Sequence, residues 1–401
     1  MIRESMKDRN ILFLTSRLPY PPISGIQLRI FGILKILIKY FQVHLVSIIT
    51  DDVPSEFYDW ASGLGITYKI FKKRKLDNYI NTLKFLFNSL PLQVNYYYFK
   101  DVQNYIDSIY KDFDLIFSIL IRTSQYVMRI NKPKILDIID SIGLNYLHSQ
   151  NNSTSFKWRI IYKIETKRLL EYEELCIDQF DKTLFVNEEE MNYFNKAPKT
   201  VWLPNGVKEE LISYNKVNPK YKDCITFFGK MDYQPNIDAV IWFVRNVLPR
   251  LNKNLKFYIL GTSPSNLIKS LENKYKNIVV TGFIEDPYEI IKSSLCNVAP
   301  MQTGGGIQNK ILESMALGSI NIVSSLAAVA IKGTHGKHFL VIDDPEEMAK
   351  TINTIYQHPE KFEHIKSESK THIRNNFTWS ICEDRLIKAI QEVIENFYER
   401  S

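Results

Sequence analysis

Three consecutive glycines, Gly304, Gly305 and Gly306, stand between an apolar run ending at Pro300 and the segment ILESMALG. Glycine lets a backbone approach a ligand closely and adopt positive φ. A helix that starts just after them, around Ile307, Gln308 and Asn309, presents unpaired N–H groups and the positive end of its dipole. Together these features make an anion site suited to a diphosphate. Lys310 falls in the first turns of that helix and adds a charge-assisted contact. Glu313 follows about one turn later, where a carboxylate can accept both hydroxyls of a ribose. The pattern is neither a P-loop, since no Gly-Lys-Ser/Thr follows the glycines, nor a GxGxxG fingerprint. A flexible turn capping a structural helix would use the same glycines, so the segment alone leaves both readings open.

The elements that must position such a loop alternate. ILFLT, VHLVSII, DLIFSI, KILDII, KTLFV and TVWLP read as buried strands, with helical stretches such as RIFGILKILIKY and Phe156 to Gln179 between them. Buried parallel strands appear as continuous apolar runs, and strands alternating with helices imply a doubly wound parallel sheet. The pattern then restarts with CITFFG, the helix NIDAVIWFVRNVLPRL, and the strands KFYILG, NIVVTGF, CNVAP and NIVSS. The expected fold class is α/β, with two Rossmann-like doubly wound domains facing a central cleft. The boundary is expected at the Pro204-Asn205-Gly206 turn, giving domains 1–204 and 205–378. The amphipathic helix 379–401 is expected to pack back toward the first domain.

The chain of 401 residues carries a net charge of +7. Residues 1–100 hold 14 Lys/Arg against 7 Asp/Glu, and the remainder is balanced. The densest run, Lys72-Lys73-Arg74-Lys75, precedes the apolar–aromatic segment NTLKFLFNSLPLQ. It reads either as a solvated basic turn before a core helix or as a peripheral contact with an anionic membrane or lipid-phosphate acceptor. No nucleic-acid motif accompanies it, so nucleic acid is not an expected partner. No apolar stretch reaches the length of a membrane helix, and the polar start lacks a signal-peptide pattern, so a cytoplasmic location is expected. Cys176, Cys224, Cys296 and Cys382 lack CxxC spacing and read as reduced, mostly buried thiols.

KILESMALG followed by SINIVSS resembles the donor-binding segment of glycosyltransferase family 4. LTSRLPYPPISGIQLRIFGILK, LFVNEEEMNYF, LPNGV, FFGKMDYQPNIDAV and VVTGFIEDPYEII are similar, in order, to further segments of that family. The pattern is closest to sugar transferases of bacterial exopolysaccharide clusters. The resemblance implies a GT-B fold and a retaining transfer of a hexose-type sugar. The donor would be a UDP- or GDP-sugar and the acceptor a glycan or lipid-linked molecule of surface polysaccharide synthesis. It implies no cofactor and no metal, and places the enzyme in the cytoplasm, on the inner face of the membrane if it binds one. Glu313 matches the ribose-binding glutamate. Lys230, after Gly229, falls where the family has an arginine on the donor phosphates, and Gly25 falls in the loop that approaches the diphosphate. Phe283 and Ile284 fall where backbone groups meet the base. Asp140, with Asp137 close by, falls near a family histidine and would bind a sugar hydroxyl or assist the acceptor.

The chain also departs from that pattern. Gly305 replaces the first glutamate of Glu-x7-Glu, and Asn236 replaces a lysine, for which Lys310 would supply the missing charge. A nucleotide-sugar epimerase and a non-catalytic nucleotide-sugar-binding protein remain alternative readings of the same architecture. Asp51-Asp52 and Asp343-Asp344 read as surface turns rather than metal ligands, and His148 and His335 as structural. Glu165, Arg168, Tyr172 and Glu173 lie at helical spacing, compatible with lining a site or with packing and an i,i+3 pair. Tyr96-Tyr97-Tyr98 reads as packing, with stacking on sugar as the alternative.

Overall fold

The first set of apolar runs forms a parallel sheet of seven strands: β1 (Asn10–Thr15), β2 (Gln42–Ile49), β3 (Thr67–Lys72), β4 (Leu115–Ile119), β5 (Lys134–Ile139), β6 (Lys182–Phe185) and β7 (Thr200–Trp202). Their order is β3-β2-β1-β4-β5-β6-β7. The second set forms a six-stranded sheet from β8 (Cys224–Phe228), β9 (Lys256–Leu260), β10 (Ile278–Gly282), β11 (Cys296–Ala299), β12 (Asn321–Val323) and β13 (Leu340–Val341), ordered β10-β9-β8-β11-β12-β13. The computed structural model describes residues 7–149, 156–304 and 306–399. Contacts divide the chain into Met1–Pro204 with Glu383–Ser401, and Asn205–Cys382.

Each sheet is covered by helices, which is why its central strands are mostly apolar and buried along their length. All five residues of β4 and all six of β5 are buried. Phe13 and Phe117 stack across β1 and β4 at 5.4 Å. The helix Gly25–Leu37 starts at a reciprocal capping box between Ser24 and Gln27 and buries Ile30, Ile33, Leu34 and Leu37. From Glu383 onward the helix Trp379–Glu399 belongs to the first unit, where Tyr40 Oη donates to Glu383 at 2.6 Å and Lys182 pairs with Glu392 at 3.0 Å.

Two strands escaped the sequence reading for physical reasons. β3, TYKIFK, is an edge strand with an exposed polar face, so it lacks the apolar run of its neighbours. β13 is only two residues long. The basic run therefore begins at the end of an edge strand and enters the short helix Lys75–Thr82. All four of its cations are paired: Lys72 with Asp52, Lys73 with Asp101, Arg74 with Asp77 and Lys75 with Asp51.

In the second unit, the backbones after β8 and β9 nearly touch. Gly261 has φ +146°, and a Cβ there would lie 1.7 Å from the carbonyl oxygen of Gly229. No side chain fits without moving that loop. Gly261→Ala is expected to destabilise the second unit by about 3 kcal/mol or more in chemical denaturation. Gly63→Ala, at a helix end with nothing within 4 Å of the added carbon, is expected to be neutral or slightly stabilising.

Candidate functional site

β8 and β11 are neighbours in space although two strands separate them in sequence, so the strand order reverses between them. Ligands of open α/β sheets bind beyond the carboxyl ends of strands at such a point. Here those ends lead into Gly229-Lys230 and into the segment from Pro300 to Gln308. The helix Asn309–Leu317 follows, and its N-cap residue Gln308 makes no side-chain capping bond, leaving its first N–H groups for another partner. Gly304, at φ +95°, lies against Pro235, where a Cβ would come within 3.3 Å of that ring. Gly306 also has positive φ, at 77°, and Ile307 is half-buried. Gly305 lies outside the described residues.

Lys310 is buried. Its ammonium donates to Asn236 Oδ1 at 2.5 Å and sits 4.6 Å from the centre of the Phe227 ring. Asn236 in turn donates from Nδ2 to the carbonyl of Lys230 at 2.8 Å. One hydrogen-bonded chain thus joins the loop after β8 to the helix after β11. Burial drives the Lys310 pKa down to about 7. Lys310 is thus a desolvated lysine, held by Asn236 and the Phe227 face rather than by an acidic partner among the described residues. Lys230 is different, half exposed and paired with Asp232 at 3.2 Å.

Glu313 is half-buried, and loss of solvent pushes its carboxyl up to about 7, partly opposed by a hydrogen bond from Tyr288 and by the charge of Lys208. Tyr288 Oη donates to Glu313 Oε2 at 3.4 Å. Asn309 is less available than its position suggests, because its Oδ1 accepts from Asn205 Nδ2 at 2.9 Å. Phe283 is 75% exposed just past the end of β10, an aromatic face turned to solvent, and Ile284 is half-buried beside it.

The first unit gathers acids beyond the end of β5. Arg29, one turn into its helix from Gly25, grips Asp137 with two bonds, Nε to Oδ2 at 2.7 Å and Nη2 to Oδ1 at 3.0 Å. Both side chains are fully buried. Asp137 is therefore a structural partner, not a group for sugar. Ile139 takes φ +69°, a costly conformation for a β-branched residue, and this turns the chain at Asp140. Asp140 Oδ1 is buried without a hydrogen-bond partner among the described residues. Glu190 accepts from Ser141 N at 2.6 Å, and Glu173 accepts from Ser141 Oγ at 2.6 Å and Ile142 N at 2.8 Å. Burial raises the pKa of Asp140, opposed by Arg29 and reinforced by Asp137. Burial also raises that of Glu190, reinforced by Asp140.

Residues 222–358 match the family model described as Glycosyl transferases group 1. That match lies within the second unit. Over 273 residues the chain is 22% identical to an uncharacterised 44.6 kDa protein in the cps region of Klebsiella pneumoniae, covering 63% of this chain and 69% of that protein. Among solved structures it is similar to Anabaena HepE in complex with UDP-glucose (TM-score 0.62, 15% identity, 98% of this chain and 100% of that one). It is also similar to sucrose-phosphate synthase from Thermosynechococcus elongatus (TM-score 0.69, 12% identity, 97% and 100%). The fold is GT-B.

In the second unit, the structure brings Gly229, the Lys230 backbone, Lys310 and the Gly304 turn to one sheet end. Gly25 and Asp140 belong to the first unit. Tyr288, Asn205 and Glu190 escaped sequence reasoning; Asn205 stood in the LPNGV turn, but nothing in spacing links Tyr288 to Glu313 or Glu190 to Asp140. The other candidates resolve into structure. Glu165 accepts from Leu92 N, His335 from Val341 N, and Asp344 caps a helix. Tyr172 bonds Ser124, and Tyr98 stacks on Tyr126. The side chain of His148 lies outside the described residues. Among the described residues, no group of three or more His, Cys, Asp or Glu could hold a metal.

The buried acids carry a pH signature. Their folded pKa values lie above the unfolded carboxyl range near 4, so the folded state binds more protons between that range and neutrality. Stability therefore falls as pH rises through that window. The melting temperature is expected to drop between pH 5.5 and 8, and Glu190→Gln is expected to reduce the drop. A Tm that rises toward pH 8 would contradict this account of the cluster.

Proposed function

We propose that the chain is a retaining, metal-independent glycosyltransferase. It moves a hexose-type sugar from a UDP- or GDP-sugar to a glycan or lipid-linked acceptor of a bacterial surface polysaccharide, working in the cytoplasm. The observation that carries this reading is the chain Lys310–Asn236–Lys230 beside an uncapped helix tip, with Glu313 one turn along the same helix. The diphosphate sits on the N–H groups of Gln308, Asn309 and Lys310, against the ammonium of Lys310. Glu313, oriented by Tyr288, accepts the ribose hydroxyls, and the base lies along Phe283 and Ile284. The UDP-glucose bound by HepE supports the uridine donor, and the cps region of the Klebsiella relative supports the polysaccharide context.

In the reaction, the bond from the anomeric carbon to the diphosphate oxygen breaks with its electron pair leaving on the phosphate. The acceptor oxygen bonds that carbon from the same face, and its proton passes to the departing phosphate. Lys230 and Lys310 stabilise the charge that develops on the leaving group, and preorganised groups of this kind supply a large catalytic term. In the first unit, the unpartnered Oδ1 of Asp140 accepts a sugar hydroxyl. Gly25 opens a helix whose third N–H is taken by Ser24 in a capping box, so the N–H groups of Gly25 and Ile26 are the ones offered to a phosphate.

Binding of nucleoside diphosphates, followed by thermal shift or calorimetry, tests the donor half. Lys310 must be protonated and Glu313 ionised, and both titrate near 7. Affinity is expected to follow a bell-shaped pH profile centred there. Lys310→Met removes the alkaline limb and Glu313→Gln the acid limb, each weakening binding about tenfold or more. Lys230→Ala is expected to lower turnover more than affinity. Formation of a transferred product with the donor's anomeric configuration, read by NMR, supports the retaining reading; inversion, or binding without any turnover, overturns it.

A further inference from the structure

The helix Lys75–Thr82 is built inside out. Its two asparagines face the protein: Asn78 is fully buried and donates to the Tyr96 carbonyl at 3.0 Å, and Asn81 donates to the Tyr98 carbonyl at 2.9 Å. Its apolar residues face water. Leu76, Tyr79 and Ile80, with Leu83, Leu86 and Phe87 of the 3₁₀ turn that follows, are each more than half exposed, and Phe87 is 90% exposed. A helix usually buries its apolar stripe, and an apolar patch of this density on a surface marks an interaction site. The two asparagine anchors hold the polar face inward, so the exposed face is fixed by structure.

We infer that this inverted helix and its Leu83–Phe87 turn insert into the interfacial region of a lipid bilayer. The chemistry around the patch selects that occupant. The basic run at its base is paired with Asp51, Asp52, Asp77 and Asp101, but Lys69 and Lys84 add cations lying over the rings of Phe71 and Tyr98. The patch keeps a positive surplus, which suits anionic headgroups and repels an identical patch on a second copy. Tyr79, next to the aliphatic groups, suits the headgroup level, where aromatic rings with a polar tip concentrate. Because the basic run is already neutralised by carboxylates, attachment depends more on apolar insertion than on charge. This differs from the electrostatic contact that the run of four cations suggests when read alone. The inference does not rest on the donor site, and none of its residues belongs to it.

Sedimentation of the full chain with vesicles of phosphatidylethanolamine and phosphatidylglycerol tests it. The wild type is expected to pellet with vesicles. The double variant Leu83→Gln, Phe87→Gln is expected to bind at least about tenfold more weakly, because two large apolar groups no longer enter the interface. Raising the salt concentration is expected to weaken binding less than that variant does. Both proteins should keep the same melting temperature and the same nucleoside-diphosphate affinity, which shows that the variant folds. A wild type that stays in the supernatant, or a folded variant that pellets equally, overturns the inference. So does a concentration-dependent dimer that these substitutions dissolve, since that assigns the face to a second copy.

Discussion

The burial of one ammonium group organises the second unit. Lys310 is held beneath the helix tip by Asn236 and the face of Phe227, in surroundings too poor in water to favour its charge. An isolated buried charge is costly, so the group stays ready for an anion. In the proposed donor site, a diphosphate at the helix tip would restore its ordinary basicity, and the stabilisation would appear only with the ligand bound. Asn236 serves both ends of this arrangement, since it also holds the Lys230 carbonyl and so fixes where the loop after β8 runs. The close approach of Gly261 to Gly229 fixes that loop from the opposite side.

The second unit places its unusual groups after β8 and β11, which flank its reversal of strand order, and the first unit places its own at the end of β5, one strand past the reversal between β1 and β4. In the second unit these groups are a lysine of lowered basicity and a glutamate of raised pKa. In the first they are acids crowded beyond β5, with Asp137 neutralised by Arg29 and Asp140 left with an unsatisfied oxygen. The strained Ile139 and the buried Glu190 are the cost of presenting Asp140 at that point. Perturbed titratable groups of this kind concentrate at functional sites.

The sheets were legible in the sequence because parallel strands covered on both faces are mostly apolar, as LIFSI and KILDII are despite Ser118, Lys134 and Asp137. β3 was not, because this edge strand exposes four of its six residues and reads as TYKIFK. The Gly304–Gly306 turn, Lys310 and Glu313 were legible because loop, helix start and carboxylate are contiguous in sequence. The pairing of Lys310 with Asn236 was foreseeable only as an exchange of charge between two positions; its burial was not, since burial depends on Phe227 and Met301 from other segments. The basic run showed its charge in the sequence but not its partners, because Asp51, Asp52 and Asp101 are distant in the chain. The inverted helix was hidden for a related reason. LDNYINTLKFLF shows an apolar stripe, and only the bonds from Asn78 and Asn81 reveal which face points inward.

The most direct measurement is the proton balance of nucleotide binding. Calorimetric titration of UDP at pH 8, in two buffers of different ionisation enthalpy, reads how many protons the complex takes up. At that pH Lys310 is largely neutral in the free protein and Glu313 largely ionised. The account predicts uptake of most of one proton by the wild type and almost none by Lys310→Met. Binding of UDP with no proton uptake, or equal uptake by the variant, would contradict a buried lysine that charges itself against the diphosphate.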